Sequence, residues 1–167
     1  ANASPSPDTL IVCIAGTVLT VQNTQIDAGN TRVSFGIAKG IRSESSTITV
    51  RNATIRGGHS PSEPTSAVGI TLDDATTATV ENTIIFMGEV DAGSLTTGIR
   101  CATSAPPAAL RNNTVFGCDV LVREAGSVST SITDAATLND RSYASGNVSE
   151  TALFANQAAL DWSLATG

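Results

Sequence analysis

Aliphatic and polar positions recur along this chain at a nearly constant interval. An aliphatic residue is followed two places later by asparagine, and three places after that by a second aliphatic residue. The pattern reads Val21-Gln22-Asn23-Thr24-Gln25-Ile26, Val50-Arg51-Asn52-Ala53-Thr54-Ile55, Val80-Glu81-Asn82-Thr83-Ile84-Ile85 and Leu110-Arg111-Asn112-Asn113-Thr114-Val115. The asparagines stand 29, 30 and 30 residues apart, and Gly40-Ile41, Gly69-Ile70 and Gly98-Ile99 keep the same beat at intervals of 29. A period of this size marks stacked units, none of which buries a core alone.

Within each unit the signals pass from strand to turn three times. Gly40-Ile41-Arg42 predicts the start of one extended piece, ended by the turn-forming Ser43-Glu44-Ser45-Ser46. Thr47-Ile48-Thr49-Val50 is a β-branched second piece, and Thr54-Ile55-Arg56 a short third one, closed by Gly57-Gly58. Strands this short make poor hairpin partners. Each pairs instead in parallel with its equivalent one unit later, which predicts an all-β fold, a parallel β-helix with 29–30 residues and three short strands per coil.

Asn23, Asn52, Asn82 and Asn112 fall where the backbone must bend between the second and third strands, and asparagine tolerates the left-handed conformation better than other non-glycine residues. At the interstrand spacing of ~4.8 Å their amides are expected to form a ladder. Val50, Val80 and Leu110 would stack as one aliphatic column, and Ile55, Ile85 and Val115 as another. The outward positions Gln22, Arg51, Glu81 and Arg111 alternate in charge, which supports the same register independently.

Thr9 to Gly16 reads as a preceding partial coil. After Cys118 the beat weakens, with Asp119-Val120-Leu121-Val122 as one more first strand and Val128 to Ile132 as a further piece. The expected organisation is therefore coils over 1–134 and a C-terminal capping segment of the same domain over 135–167, since stacked repeats need atypical ends to hide their core.

Composition narrows the picture. Apolar residues make up 41% but aromatics only 4%, so the core must be aliphatic. Net charge is −6 and Lys39 is the only lysine. No basic stripe suited to phosphates is present, which argues against nucleic-acid partners. The longest apolar run, Leu10 to Ala15, is too short to span a bilayer, and Cys13 within it lacks the upstream pattern of a lipidated cysteine. The opening Ala1-Asn2-Ala3-Ser4-Pro5-Ser6-Pro7 reads as a trimmed start, with an export address removed. Of the three cysteines, Cys101 shares the inward face of Ile99 and reads as a small buried hydrophobe, with a Cys101–Cys118 bridge as the competing arrangement. His59 is the only histidine, and no cysteine pair has metal-ligand spacing, so no zinc site is expected.

With these motifs in view, the chain resembles bacterial right-handed parallel β-helix repeat proteins, many of them exported. Their coils commonly carry Gly-Ile openings and an Ile-x-Asn-Asn-x-Ile signature, matched best by Arg111-Asn112-Asn113-Thr114-Val115. The tail, with Gly146-Asn147-Val148, Leu153-Phe154 and Asp161-Trp162-Ser163-Leu164, is similar to their closing motif, although Ala152 stands where proline is usual. Asn147 and Trp162 would then shape the cap. The resemblance covers residues 17 to 167 and concerns fold, since its signature residues are structural. It implies a right-handed coil, on a fold that hosts polysaccharide lyases and hydrolases, tailspikes, adhesins and surface proteins without a known reaction.

An enzyme on such a fold needs carboxylates converging on one exterior face, with calcium and an Arg or Lys base in a lyase, or paired acids in a hydrolase. Asp73 and Asp74 at the first bend, Glu44 at the same bend one coil below, and Arg100 aligned above Thr71 make the one cluster that can be drawn. The competing reading is a polar turn. Glu89 and Asp91 lie in a later loop. Phe86 and Phe116 occupy equivalent places with Arg56 below them; facing outward they form an aromatic step for sugar rings, facing inward they are core. The loop from His59 to Ser66 is the longest insertion. No nucleophile motif, phosphate loop or dinucleotide fingerprint occurs.

The expectation is a non-catalytic exported β-helix module, secreted or on the cell surface. Its work would be structural or adhesive, presenting a surface to carbohydrate or protein without a cofactor. An open coil end would allow a homo-oligomer. The rival is a polysaccharide lyase or glycoside hydrolase acting on an acidic polysaccharide, with calcium in that case.

Overall fold

The computed structural model describes residues 9–13, 15–28, 37–58, 66–73, 76–87, 95–101, 107–125, 129–150, 154–156 and 161–164. The first unit contributes β1 (Thr9–Cys13), β2 (Val18–Gln22) and β3 (Gln25–Asp27), and the second β4 (Ile37–Glu44), β5 (Thr47–Arg51) and β6 (Thr54–Arg56). The third adds β7 (Ser66–Asp73), β8 (Thr77–Glu81) and β9 (Ile84–Phe86), and the fourth β10 (Thr96–Cys101), β11 (Ala109–Arg111) and β12 (Thr114–Phe116). Then follow β13 (Val120–Glu124), β14 (Thr130–Ile132), the helix α1 (Ala135–Asn139), β15 (Ala144–Ser145), β16 (Phe154–Asn156) and β17 (Asp161–Leu164).

The chain is thus nearly all β, and its three larger sheets are open and almost wholly parallel. Each takes one strand from every successive unit: β1-β4-β7-β10-β13 with β14 added antiparallel, β2-β5-β8-β11-β15, and β3-β6-β9-β12. Residues one period apart sit opposite each other, as in Val21↔Val50↔Val80↔Leu110 and Ile26↔Ile55↔Ile85↔Val115. Together with Ile41, Ile70, Ile99 and Val122 these columns make one aliphatic core. Fully burying each such side chain contributes roughly 1.5–3 kcal/mol, so stability is spread along the stack.

Three local features differ from the sequence expectation. The strands with Gly-Ile begin before the glycine: β4 starts at Ile37 and runs to Glu44, which leaves the turn to Ser45 and Ser46. Glycine is required for another reason. A Cβ on Gly69 would lie 2.6 Å from Ile85 Cγ2 and 2.7 Å from the carbonyl oxygen of Gly98, and Gly40 is hemmed in likewise by Ile55 and Gly69. The aliphatic residue of the third strand fills the space a side chain would need. Glycine and the following isoleucine therefore both face the core, a break in strict alternation.

Second, Asn23, Asn52, Asn82 and Asn112 have φ of 51°, 50°, 50° and 53°, the left-handed conformation at each bend. Yet their side chains are exposed, and the ladder amounts to one long contact, Asn52 Nδ2 to Asn23 Oδ1 at 3.4 Å. At the second, third and fourth bends the following residue, Ala53, Thr83 or Asn113, is buried instead. Asn113, in the column of Ala53 and Thr83, is buried, donates to Val80 O (2.9 Å) and to Asn147 Oδ1 (3.0 Å), and accepts from Thr83 N (3.1 Å).

Third, the segment after β14 includes the one helix among the described residues, where the sequence predicts an all-β chain. Asp134 caps α1 by accepting from Thr137 N, and Leu138 enters the core. β15 extends the second sheet. Asn147, also buried, donates to Leu110 O and Asn139 Oδ1. β16 and β17 pair with each other antiparallel. The side chain of Trp162 lies outside the described residues.

Candidate functional site

Outside the core, the six-stranded sheet carries the densest charge. Its long first strands alternate once past the glycine: Ile41, Ile70, Ile99 and Val122 point in, so the next residues, Arg42, Thr71, Arg100 and Arg123, form an outward file in register. Two places on, Glu44 pairs with Asp73 at the end of the strands. Lys39, before the glycine, belongs to the same surroundings.

Arg42 organises the lower half of this file. Its Nε donates to Asp73 Oδ2 at 2.8 Å and its Nη2 contacts Glu44 Oε1, so one guanidinium holds both carboxylates. The bend below is fixed by Thr76, whose hydroxyl donates to Asp73 O (2.5 Å) and Ser43 O (3.1 Å). Lys39 is only 7% exposed. Its loss of hydration, then repulsion from Arg42 and Arg100, lower its pKa against the pull of Asp73 and Glu44.

The upper half is different. Arg100 has no hydrogen bond or ion pair among the described residues, and the residue opposite it is another arginine, Arg123, whose Nε donates to Ser129 Oγ at 3.0 Å. Thr71, between Arg42 and Arg100, is 1% exposed, and among the described residues its hydroxyl has no hydrogen-bond partner.

The candidates from sequence therefore separate. Glu44 and Asp73 come together as drawn, and Arg100 does stack on Thr71. The carboxylates are engaged by Arg42, a residue the sequence reading passed over although it lies 29 positions before Thr71. Asp74, His59, Glu89 and Asp91 lie outside the described residues. Among the described residues no three His, Cys, Asp or Glu side chains gather to hold a metal ion.

Phe86 and Phe116 stack with centroids 5.5 Å apart and planes 7° from parallel, in a cluster separate from the main core. They are 6% and 7% exposed, so they form a covered pair and not an open step. Arg56, opposite Phe86, bonds Asp27 on the other side at 3.2 Å. The outward file of the five-stranded sheet is self-compensating: Arg51 Nε to Glu81 Oε2 is 3.1 Å and Arg111 Nη1 to Glu81 Oε1 is 3.2 Å.

Elsewhere, Cys13, Cys101 and Cys118 are free, and Cys101 lies in the core. Cys13 is buried, its Sγ 2.8 Å from Thr17 Oγ1. At the capped end, Glu124 accepts from Tyr143 Oη and from Arg141 Nη2 (3.1 Å), tying the last long strand to the segment after α1. Among the described residues no helix is long and apolar enough to cross a membrane. No family model matches the chain, and no curated protein or solved structure is detectably similar to it.

Proposed function

We propose that the three parallel sheets are the faces of one right-handed parallel β-helix of the exported bacterial type. On this reading the chain is a non-catalytic module, secreted or on the cell surface. It presents the outward face of the six-stranded sheet to a carbohydrate or protein partner and needs no cofactor. The repeat of 29 to 30 residues, strand on strand in register, supports the architecture.

One observation carries the functional reading. The carboxylates an acid–base or calcium mechanism would use, Asp73 and Glu44, are both bonded to Arg42. A carboxylate engaged by a guanidinium has fewer oxygen lone pairs left for a metal or a proton. The same face leaves Arg100 without a partner among the described residues, an arrangement suited to recognition. Screening on a glycan array, with a parallel assay for polymer cleavage with and without calcium, tests this. Binding without turnover is the expected result. Calcium-dependent depolymerisation of an acidic polysaccharide would replace the module with a lyase.

A further inference from the structure

Two features of the six-stranded sheet are costly as they stand, and they are neighbours. Arg100 and Arg123 face each other on adjacent parallel strands, ~4.8 Å apart by the ordinary spacing of a sheet. Like charges directly opposite oppose strand pairing. On the file below, opposite charges relieve the same problem, since Asp73 and Glu44 hold Arg42. Glu124, the acid next to Arg123 in sequence, is engaged with Arg141 and Tyr143.

The second feature is Thr71. A buried hydroxyl without a partner is costly relative to one that is bonded, and valine would fill nearly the same volume without that cost. Thr71 is the file's next member beside Arg100. A guanidinium unpaired among the described residues, the guanidinium facing it and a hydroxyl likewise without a partner there therefore lie in consecutive strands on one face. All are donors, and arginine forks match oxyanion geometry.

We propose that Thr71, Arg100 and Arg123 form an oxyanion-binding site, taking a sulfate, phosphate or carboxylate group either as a free ion or as a substituent of a glycan. The anion's oxygens accept from both guanidinium groups and from the threonine hydroxyl, so that its charge separates the two arginines. Lys39, near enough to feel the charge of Arg100, adds to the positive potential without being needed as a direct contact. The inference stands apart from the module reading, because a free ion would occupy the site whatever the protein's partner is.

The test is titration of the whole chain at fixed ionic strength, followed by backbone amide shifts in NMR. The probes are sodium sulfate, sodium phosphate, a uronic-acid oligosaccharide and its neutral counterpart. Saturable shifts centred on Thr71, Arg100 and Arg123 are expected with the anions and not with the neutral sugar. If the inorganic ions suffice, the site is for a free anion; if only the uronic-acid oligosaccharide saturates, it is for an anion carried on a glycan. Arg100→Gln and Arg123→Gln should each weaken binding on the order of tenfold, while Arg51→Gln on the other sheet leaves it unchanged. Thr71→Val should weaken binding without lowering the melting temperature, which separates a ligand contact from a packing role. Linear, unsaturable shifts with every anion, or equal affinity in Arg100→Gln, would overturn the site.

Discussion

On the five-stranded sheet, Arg51, Glu81 and Arg111 alternate in sign, and the single carboxylate is shared between the arginines above and below it. On the six-stranded sheet the corresponding outward file reads Arg42, Thr71, Arg100 and Arg123, and the upper two arginines have no carboxylate between them. The first file is complete in itself, because every charge has a neighbour of opposite sign one strand away. Among the described residues, the second leaves positive charge unanswered on a chain of net charge −6. A sheet that only had to hold together would be built like the first. The difference is what the proposed oxyanion site rests on, since both share the same core and the same unit.

The comparison depends on a common scaffold, and the largest predicted effect comes from breaking it. Gly69→Ala places a methyl group against Ile85 and the Gly98 carbonyl, and should cost about 3 kcal/mol; chemical denaturation would measure it, and both files should be disturbed together. Asn113→Ala strips partners from Val80 O and Thr83 N and should cost about 2–3 kcal/mol by the same assay, whereas Asn82→Gly, at an exposed left-handed bend, should be close to neutral.

Alkaline pH offers a third test. Burial, with the charge of Glu124, pushes the Cys101 thiol up to about 12, and burial pushes Cys118 up to about 11. Both are raised above the ordinary value of 9.0, so the folded state keeps protons that the unfolded chain releases. Their contribution is whole below pH 9 and is lost as pH rises through 11 to 12. Each thiol adds a slope of about 1.4 kcal/mol per pH unit in that window. Lys39 works the other way, since its pKa is lowered and deprotonation relieves its burial. Melting temperature followed from pH 8 upward should fall, and Cys101→Ala should flatten the descent.

The smallest effects sharpen the comparison most. Glu81→Gln should destabilise by about 0.5 kcal/mol by removing the shared carboxylate. Arg100→Gln should instead raise stability by about 0.3 kcal/mol, since it removes a like-charge opposition. Opposite signs for two charge-removing changes on two faces, read by denaturation at low salt, would establish the contrast; equal signs would erase it.

The register was legible in the chain because period, aliphatic columns and outward charges all pointed to one alignment. Adding 29 to Thr71 gives Arg100, and the structure pairs them. Arg123 was not legible, because the interval from Arg100 shortens to 23 where β13 follows β12 by a tight turn. That turn is held by Asp119, whose Oδ2 accepts from Thr96 N (2.9 Å) and Thr96 Oγ1 (2.8 Å). The buried amide of Asn113 was hidden behind its neighbour. Sequence marks the left-handed residue at each bend, but that conformation sends its side chain to solvent, and at the last three bends it is the next residue that is buried. The grip of Arg42 on Asp73 is hidden in the sequence because the acids stand together at the bend, whereas the cation that engages Asp73 lies on the neighbouring strand.

The glycine column has a consequence for how such a chain can change length. Its register positions run Leu10, Gly40, Gly69, Gly98 and Leu121, so leucine stands at both ends and glycine at every interior position. Leu121 shares its buried surroundings with Ile132 and Leu138, which belong to no repeating unit. The glycine-bearing units between Leu10 and Leu121 are therefore interchangeable modules. Gene duplication of one of them would add a matching strand to each of the three parallel sheets, whereas copying the segment around Leu121 would thrust a large side chain where the next unit must settle.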